Sequence, residues 1–331
     1  MSKPEKQLEI WVNDQYRLLN RLGSGGFGEV WEAIDIKSSQ PVALKLEHVR
    51  SSHSGSLQNE IDIYRELAGR AGIPKLYWSG QECDYHVMVF ELLGPNLEDL
   101  FNYCGRHFSL RTVLMLADQL IHRFQYIHSK GYIHQDVKPE NLLMGRGKQG
   151  NIVYITDIGL AEDFTDKAAR RYGRRPERDG PVLGTARYAS INAHRGVDQS
   201  PADDMEALGY VFVYFLQEGH LPWKGLEARS RSERELAILR KKQSTSSHDL
   251  CKGLPDEFAK YFDHIKTSRE NDGGVDYRYL LRMFRSLFLR HGFQYDNVYD
   301  WTVLKYMEHL QQQGIKLEDK MMGTEIIGPA E

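Results

Sequence analysis

The chain has 331 residues, 41% hydrophobic and 27% charged, which suits a soluble globular protein long enough for two lobes with their own cores. Its net charge of -3 offers no overall attraction for nucleic acid, and no apolar run reaches the ~18 residues that a membrane span requires. Cys83, Cys104 and Cys251 stand apart without metal-ligand spacing, and the charged start MSKPEKQLEI lacks a signal-peptide core, so a reducing cytoplasmic or nuclear setting is expected.

Residues 17–49 read as strands: RLLNRLGSGGFGEVWEAID alternates apolar and polar positions around a glycine-rich turn, and PVALKLEHV continues with β-favouring residues. The polar stretch 50–56 predicts a loop. In LQNEIDIYRELAG, the residues Leu57, Ile61, Tyr64 and Leu67 recur at helical spacing, and Gly69 closes the segment. HVMVFELL predicts a strand, stopped by Gly94-Pro95, where the lobe boundary is drawn. Helical patterning follows in NLEDLFNYC and in SLRTVLMLADQLIHRFQYIHSKG, the second with Ser109 as N-cap and Gly131 as stop. Residues 162–183, rich in Arg, Gly and Asp, predict a long exposed loop. DDMEALGYVFVYFLQEG predicts a buried helix, and helical patterning continues through RYLLRMFRSLFLRHG to Trp301. The expected division is an N-terminal extension (1–14), a folded unit (15–305, an N-lobe of 15–93 and a C-lobe of 94–305) and a short polar tail (306–331).

The chemistry concentrates in His134-Gln135-Asp136-Val137-Lys138-Pro139-Glu140-Asn141, followed by Asp157-Ile158-Gly159. Phosphoryl transfer from a nucleotide needs a carboxylate to receive the acceptor's proton, and a carboxylate and an amide to hold magnesium. The spacing matches the protein-kinase catalytic loop, with Asp136 as base, Lys138 beside the transferring group, and Asn141 and Asp157 as Mg2+ ligands. Lys138 two places after Asp136 resembles serine/threonine rather than tyrosine kinases.

A nucleotide site is expected upstream. Leu22-Gly23-Ser24-Gly25-Gly26-Phe27-Gly28-Glu29-Val30 fits a glycine-rich phosphate loop, in which Gly23, Gly25 and Gly28 let backbone N–H groups approach phosphates. Such turns are common in hairpins, but Val42-Ala43-Leu44-Lys45 follows at the distance of the lysine strand that contacts the α- and β-phosphates. Lys45 needs a carboxylate partner, and Glu60 on the next helix is the candidate, with Glu66 expected to be a plain surface charge. For the adenine, Val30 and Ala43 would form the roof, Glu91, Leu92 and Leu93 the connecting backbone, Phe90 the rear and Leu143 the floor.

Two letters depart from the pattern. Gln135 stands where Arg usually bridges to the activation segment, which removes a partner for an anion there and predicts an enzyme not switched by phosphorylation of that segment. Ile158 replaces an aromatic; it is smaller, and it removes no catalytic group.

The chain resembles the casein kinase 1 family of serine/threonine kinases over about residues 15–305. The resemblance is carried by Leu93-Gly94-Pro95-Asn96-Leu97-Glu98-Asp99-Leu100-Phe101, by Gly184-Thr185-Ala186-Arg187-Tyr188-Ala189-Ser190-Ile191-Asn192, by Asp203-Asp204 and by Leu221-Pro222-Trp223. Asp276-Tyr277 with Tyr279-Leu280, and Tyr295-Asp296 with Asp300-Trp301, are also similar. Gln135, Ile158 and the arginine-rich loop mark a divergent member. The resemblance implies an α+β, bilobal protein-kinase fold, with a small, mainly β N-lobe carrying one helix and a larger, mainly α C-lobe. It also implies ATP with magnesium, and protein substrates bearing acidic or phosphorylated residues near the acceptor, held by Arg187, Arg231 and Lys224. A monomer is expected. Arg170, Arg171, Arg174, Arg175 and Arg178 would form a solvated basic loop, strengthen the acidic preference, or act as a nuclear import signal. The competing reading is a pseudokinase or scaffold, which Gln135 and Ile158 favour and the retained ionic residues oppose. The Gly184–Asn192 segment disfavours a small-molecule kinase.

Overall fold

The structure, a computed structural model, describes residues 10–25, 28–50, 56–165, 182–271 and 274–313. The N-terminal lobe is a six-stranded antiparallel sheet: β1 (Trp11–Val12), β2 (Tyr16–Gly25), β3 (Gly28–Asp35), β4 (Gln40–His48), β5 (Leu76–Glu82) and β6 (Tyr85–Glu91), ordered β1-β2-β3-β4-β6-β5. Alternation along the strands buries Ala33, Val42, Leu44, Val87 and Val89 against Val12 and Tyr16 in a small core of their own. The lobe's one helix among the described residues, α1 (Ser56–Leu67), turns Leu57, Ile61, Tyr64 and Leu67 inward, as the spacing predicts. These residues join the principal core rather than the sheet's.

The rest is mainly helical: α2 (Leu97–Tyr103), α3 (Leu110–Ser129), α4 (Ile191–Arg195), α5 (Pro201–Leu216), α6 (Arg231–Ser244), α7 (Ser247–Leu250), α8 (Asp256–Glu270), α9 (Tyr277–Arg290) and α10 (Asp300–Gln312). Three short strands follow α3: β7 (Tyr132–Ile133), β8 (Leu142–Met144) and β9 (Val153–Ile155); β10 (Glu162–Asp163) pairs back with β7. Ser109 caps α3 as expected, its side chain accepting from the Thr112 N–H. Helix α5 is buried from Pro201 to Phe215, and α3, α8 and α9 pack around it.

Three features differ from the sequence expectation. Trp11 and Val12 form a strand inside the expected extension, because β2 offers them an edge to pair with. β5 was not expected; its alternation is weak, and its pairing with β6 defines it. Helix α10 runs to Gln312, past the expected tail boundary, with Leu310 buried and the Tyr103 hydroxyl donating to Glu308 at 2.5 Å. The arginine-rich loop at 170–178 and residues 314–331 lie outside the described residues.

Candidate active site

The sheet and the helical lobe meet around a cleft of about 740 Å³. At its inner end β4 buries Val42, Ala43, Leu44 and Lys45 in succession. Lys45 Nζ lies 2.6 Å from Glu60 Oε2 on α1 and 3.0 Å from Asp157 Oδ1. Burial works against the Lys45 charge, yet the two carboxylates hold its pKa above the ordinary amine range. Burial pushes Glu60 up against the pull of Lys45, while Asp157 is held below its ordinary value, with Lys45 overcoming the burial penalty. Glu66 is exposed, as expected of a surface charge. Asp157 sits at φ 60°, ψ 55°, in the left-handed region that Asp tolerates better than most residues. Ile158, beside it, is buried in the principal core.

The loop from His134 to Asn141 is held from several sides. Asp204, at the start of α5, is buried, and its carboxylate accepts from the His134 N–H at 2.6 Å and the Gln135 N–H at 2.9 Å. His128 lies 2.8 Å from the same carboxylate. His134 Nε2 donates to the Thr156 carbonyl at 3.0 Å, and its Nδ1 accepts from the Asp136 N–H at 3.2 Å, which fixes the ring tautomer. Asp136 faces Lys138 Nζ at 2.5 Å through one oxygen and Thr185 through the other, with the Thr185 N–H at 2.8 Å and its hydroxyl at 2.9 Å. Asn141 Nδ2 donates to the Asp136 carbonyl at 3.0 Å. Gln135 adopts φ 68° and donates through Nε2 to Glu162 at 3.2 Å.

Leu22, Gly23, Gly28, Val30, Ala43, Lys45, Glu60, Phe90, Leu92, Leu93, Asn141, Leu143 and Asp157 all line the cleft. Gly28 is demanded by the sheet itself: it has φ +115°, and a Cβ there would lie 2.0 Å from the Leu46 carbonyl oxygen. A Cβ on Gly23 would meet nothing within 4 Å, so the protein alone does not require glycine there. Gly25 pairs with Gly28 across the turn; residues 26 and 27 lie outside the described residues. The Glu91 side chain is turned away, accepting from the Lys75 N–H at 3.2 Å and the Tyr154 hydroxyl at 3.4 Å, so only its backbone can serve the cleft.

Each of the residues expected to hold a substrate anion has a protein neighbour of its own. Arg187 is exposed and lies over the Tyr188 and Tyr214 rings at 5.7 and 5.8 Å. Arg231 pairs with Glu235 at 2.8 Å, and Lys224 donates to the Gly219 carbonyl at 3.2 Å. Sequence reasoning missed the parts played by Asp204 and Thr185, although a pair of carboxylates opening an otherwise apolar helix was a visible signal. It also missed Tyr64, Glu140 and Arg146 on the cleft wall.

The family model for the protein kinase domain matches residues 16–268.

Proposed function

The chain belongs to the protein kinase family, and from that premise we propose that it is a serine/threonine kinase of casein kinase 1 type. It would use ATP with magnesium and modify protein segments that carry acidic or phosphorylated residues. The observation that supports this reading most is the Lys45 bridge, in which one buried ammonium joins Glu60 to Asp157 across the cleft. This charge arrangement, beside an intact Asp136 and Asn141, opposes the pseudokinase reading.

In this reading Lys45, held and oriented by Glu60, meets the α- and β-phosphates. Gly23, open to the cleft, allows backbone to approach the triphosphate. Magnesium is a hard cation that takes carboxylate and amide oxygens together with phosphate and water oxygens, and ionised Asp157 and Asn141 are donors of that kind. When bound, it neutralises the phosphate oxygens during transfer. Asp136, with Thr185 fixing one oxygen, receives the proton of the acceptor hydroxyl, a role worth about 10²–10⁴-fold in general-base catalysis. Lys138, beside the other oxygen, stabilises the charge of the transferring group. Arg187, an exposed guanidinium two residues after Thr185, suits the carboxylate or phosphate of an acidic acceptor segment.

A panel of serine, threonine and tyrosine peptides, with acidic, phosphorylated or neutral residues upstream of the acceptor, tests the proposal. Label should enter serine and threonine, and acidic or phosphorylated neighbours should raise kcat/KM. Equal rates across the charge series would remove the substrate class, and label on tyrosine alone would remove the acceptor assignment.

A further inference from the structure

Lys242 on α6 is 3% exposed, and LRKKQS reads as a basic surface helix. Its ammonium donates to the Ala186 carbonyl at 3.0 Å and the Ala189 carbonyl at 2.5 Å. It also lies 4.7 Å from the Tyr210 ring centroid and 4.9 Å from that of Trp223. Two carbonyl oxygens and two aromatic faces form an electron-rich cage suited to a cation. Trp223 closes the same cage from the other side, donating Nε1 to the Arg187 carbonyl at 2.8 Å.

His194 completes it. Its Nε2 is 3.0 Å from the Ala186 carbonyl, while its Nδ1 is buried with no hydrogen-bond partner among the described residues. The same Nε2 lies 3.3 Å from Lys242 Nζ, so the ring stands against both the ammonium and the Ala186 carbonyl. Burial and the Lys242 charge hold the His194 pKa down at about 4, so the ring is neutral at physiological pH.

The carbonyls of residues 186, 187 and 189 thus point into the protein, while the Arg187 side chain faces out and Thr185 reaches Asp136. The protein-kinase pattern ends this segment with Ala-Pro-Glu; here Ser190-Ile191-Asn192 offers no carboxylate at its last position. We propose that Lys242 is a positioning residue for protein-substrate binding: its caged ammonium holds residues 185–189 so that Thr185 meets Asp136 and Arg187 meets the acceptor segment. The kinetic part rests on the kinase reading; the anchoring part does not.

Burial works against the Lys242 charge and lowers its pKa, with Glu206 opposing. The other ionisable groups around it are His194 on α4, Asp203 and Tyr210 on α5, Arg269 on α8 and Glu235 on its own helix. As pH rises the lowered pKa is reached before that of an ordinary lysine, and the ammonium becomes an amine with weaker, uncharged hydrogen bonds. Global stability follows the opposite sign. The unfolded chain keeps the proton to higher pH, so the Lys242 contribution rises with pH across that window. Local release therefore separates from unfolding: substrate affinity falls without a parallel fall in Tm.

The test compares wild type with Lys242→Met and Lys242→Arg by hydrogen exchange, corrected for intrinsic rates, and by steady-state kinetics on casein. Lys242→Met should speed exchange across 185–189 and raise KM for casein by about tenfold, with KM for ATP unchanged within about twofold. Lys242→Arg, which stays charged, should restore protection and abolish the alkaline rise in casein KM. Unchanged exchange at 185–189 in Lys242→Met, equal loss of ATP and casein affinity, or an alkaline rise shared by wild type and Lys242→Arg would each overturn the proposal. A wild type that transfers no phosphate defeats the kinase reading alone, and exchange then decides Lys242. Should Lys242→Met not fold, exchange in wild type and Lys242→Arg across pH decides it.

Discussion

Thr185 gives both its backbone N–H and its hydroxyl to one carboxylate oxygen of Asp136, at 2.8 and 2.9 Å. This double contact requires the chain to pass very close to the catalytic loop, and Gly184 makes the passage possible. Gly184 has φ +78°, and a Cβ there would lie 2.6 Å from the Gln135 carbonyl oxygen and 3.0 Å from Asp136 Oδ1. Gly184→Ala should cost about 1–3 kcal/mol of stability and displace Thr185 from Asp136. The expected kinetic result is a loss in kcat larger than any change in KM for ATP, measured at a temperature where the variant remains folded.

The Lys45 bridge gives a second expectation. Glu60 is buried, so Glu60→Gln weakens a desolvated pair and should lower stability by about 1–3 kcal/mol, since Asp157 still faces Lys45. Lys45→Met leaves Glu60 and Asp157 without their shared cation and should reduce kcat/KM by about 10²–10³-fold. Thermal unfolding and initial rates at varied ATP check both.

Asp204 sets a pH dependence. Its carboxylate is fully buried, yet its pKa is lowered from 3.8, because hydrogen bonds and charge from His128, with help from His134, outweigh the burial penalty. The unfolded chain binds the proton more readily, so this contribution is complete above the unfolded value and is lost as pH falls through the folded one. Tm should therefore fall below about pH 4 more steeply in wild type than in Asp204→Asn, which has no proton to gain. At neutral pH the variant should be about 3 kcal/mol less stable, since its amide places a donor against backbone N–H groups.

Gln135 bears on regulation. It donates to Glu162 at 3.2 Å and offers no guanidinium to a phosphate on the following segment. Phosphatase treatment of an active preparation should change kcat/KM by less than about twofold. Abolished activity after treatment would show that another cation has taken the role expected of Arg.

The catalytic core was legible in the sequence because its spacing is local. Asp136, Lys138 and Asn141 lie on one short loop, and the Val42–Lys45 strand is a single inward-facing run. Glu60 was expected because the kinase pattern needs a carboxylate on the next helix, and α1 does bury it alongside Ile61 and Tyr64. What stayed hidden depends on distant partners. Asp204 ties down a loop about seventy residues earlier in the chain, and Lys242 finds its carbonyls across more than fifty. β5 owes its existence to β6, and the last turns of α10 to contacts such as Tyr103 with Glu308. The partners of the expected anion residues were also hidden: Arg231 meets Glu235 within its helix, and Lys224 reaches a backbone carbonyl.

The most direct measurement is transfer of labelled γ-phosphoryl from ATP to casein, in the presence of magnesium, by wild type and by Asp136→Asn. Asp136 meets Thr185 and Lys138 without lining the nucleotide cleft, so the variant should bind ATP normally. Wild type should incorporate label, and Asp136→Asn should be slower by about 10²–10⁴-fold at unchanged ATP affinity. Equal incorporation by the two, or none by a folded wild type that binds ATP and magnesium, would contradict phosphoryl transfer at Asp136.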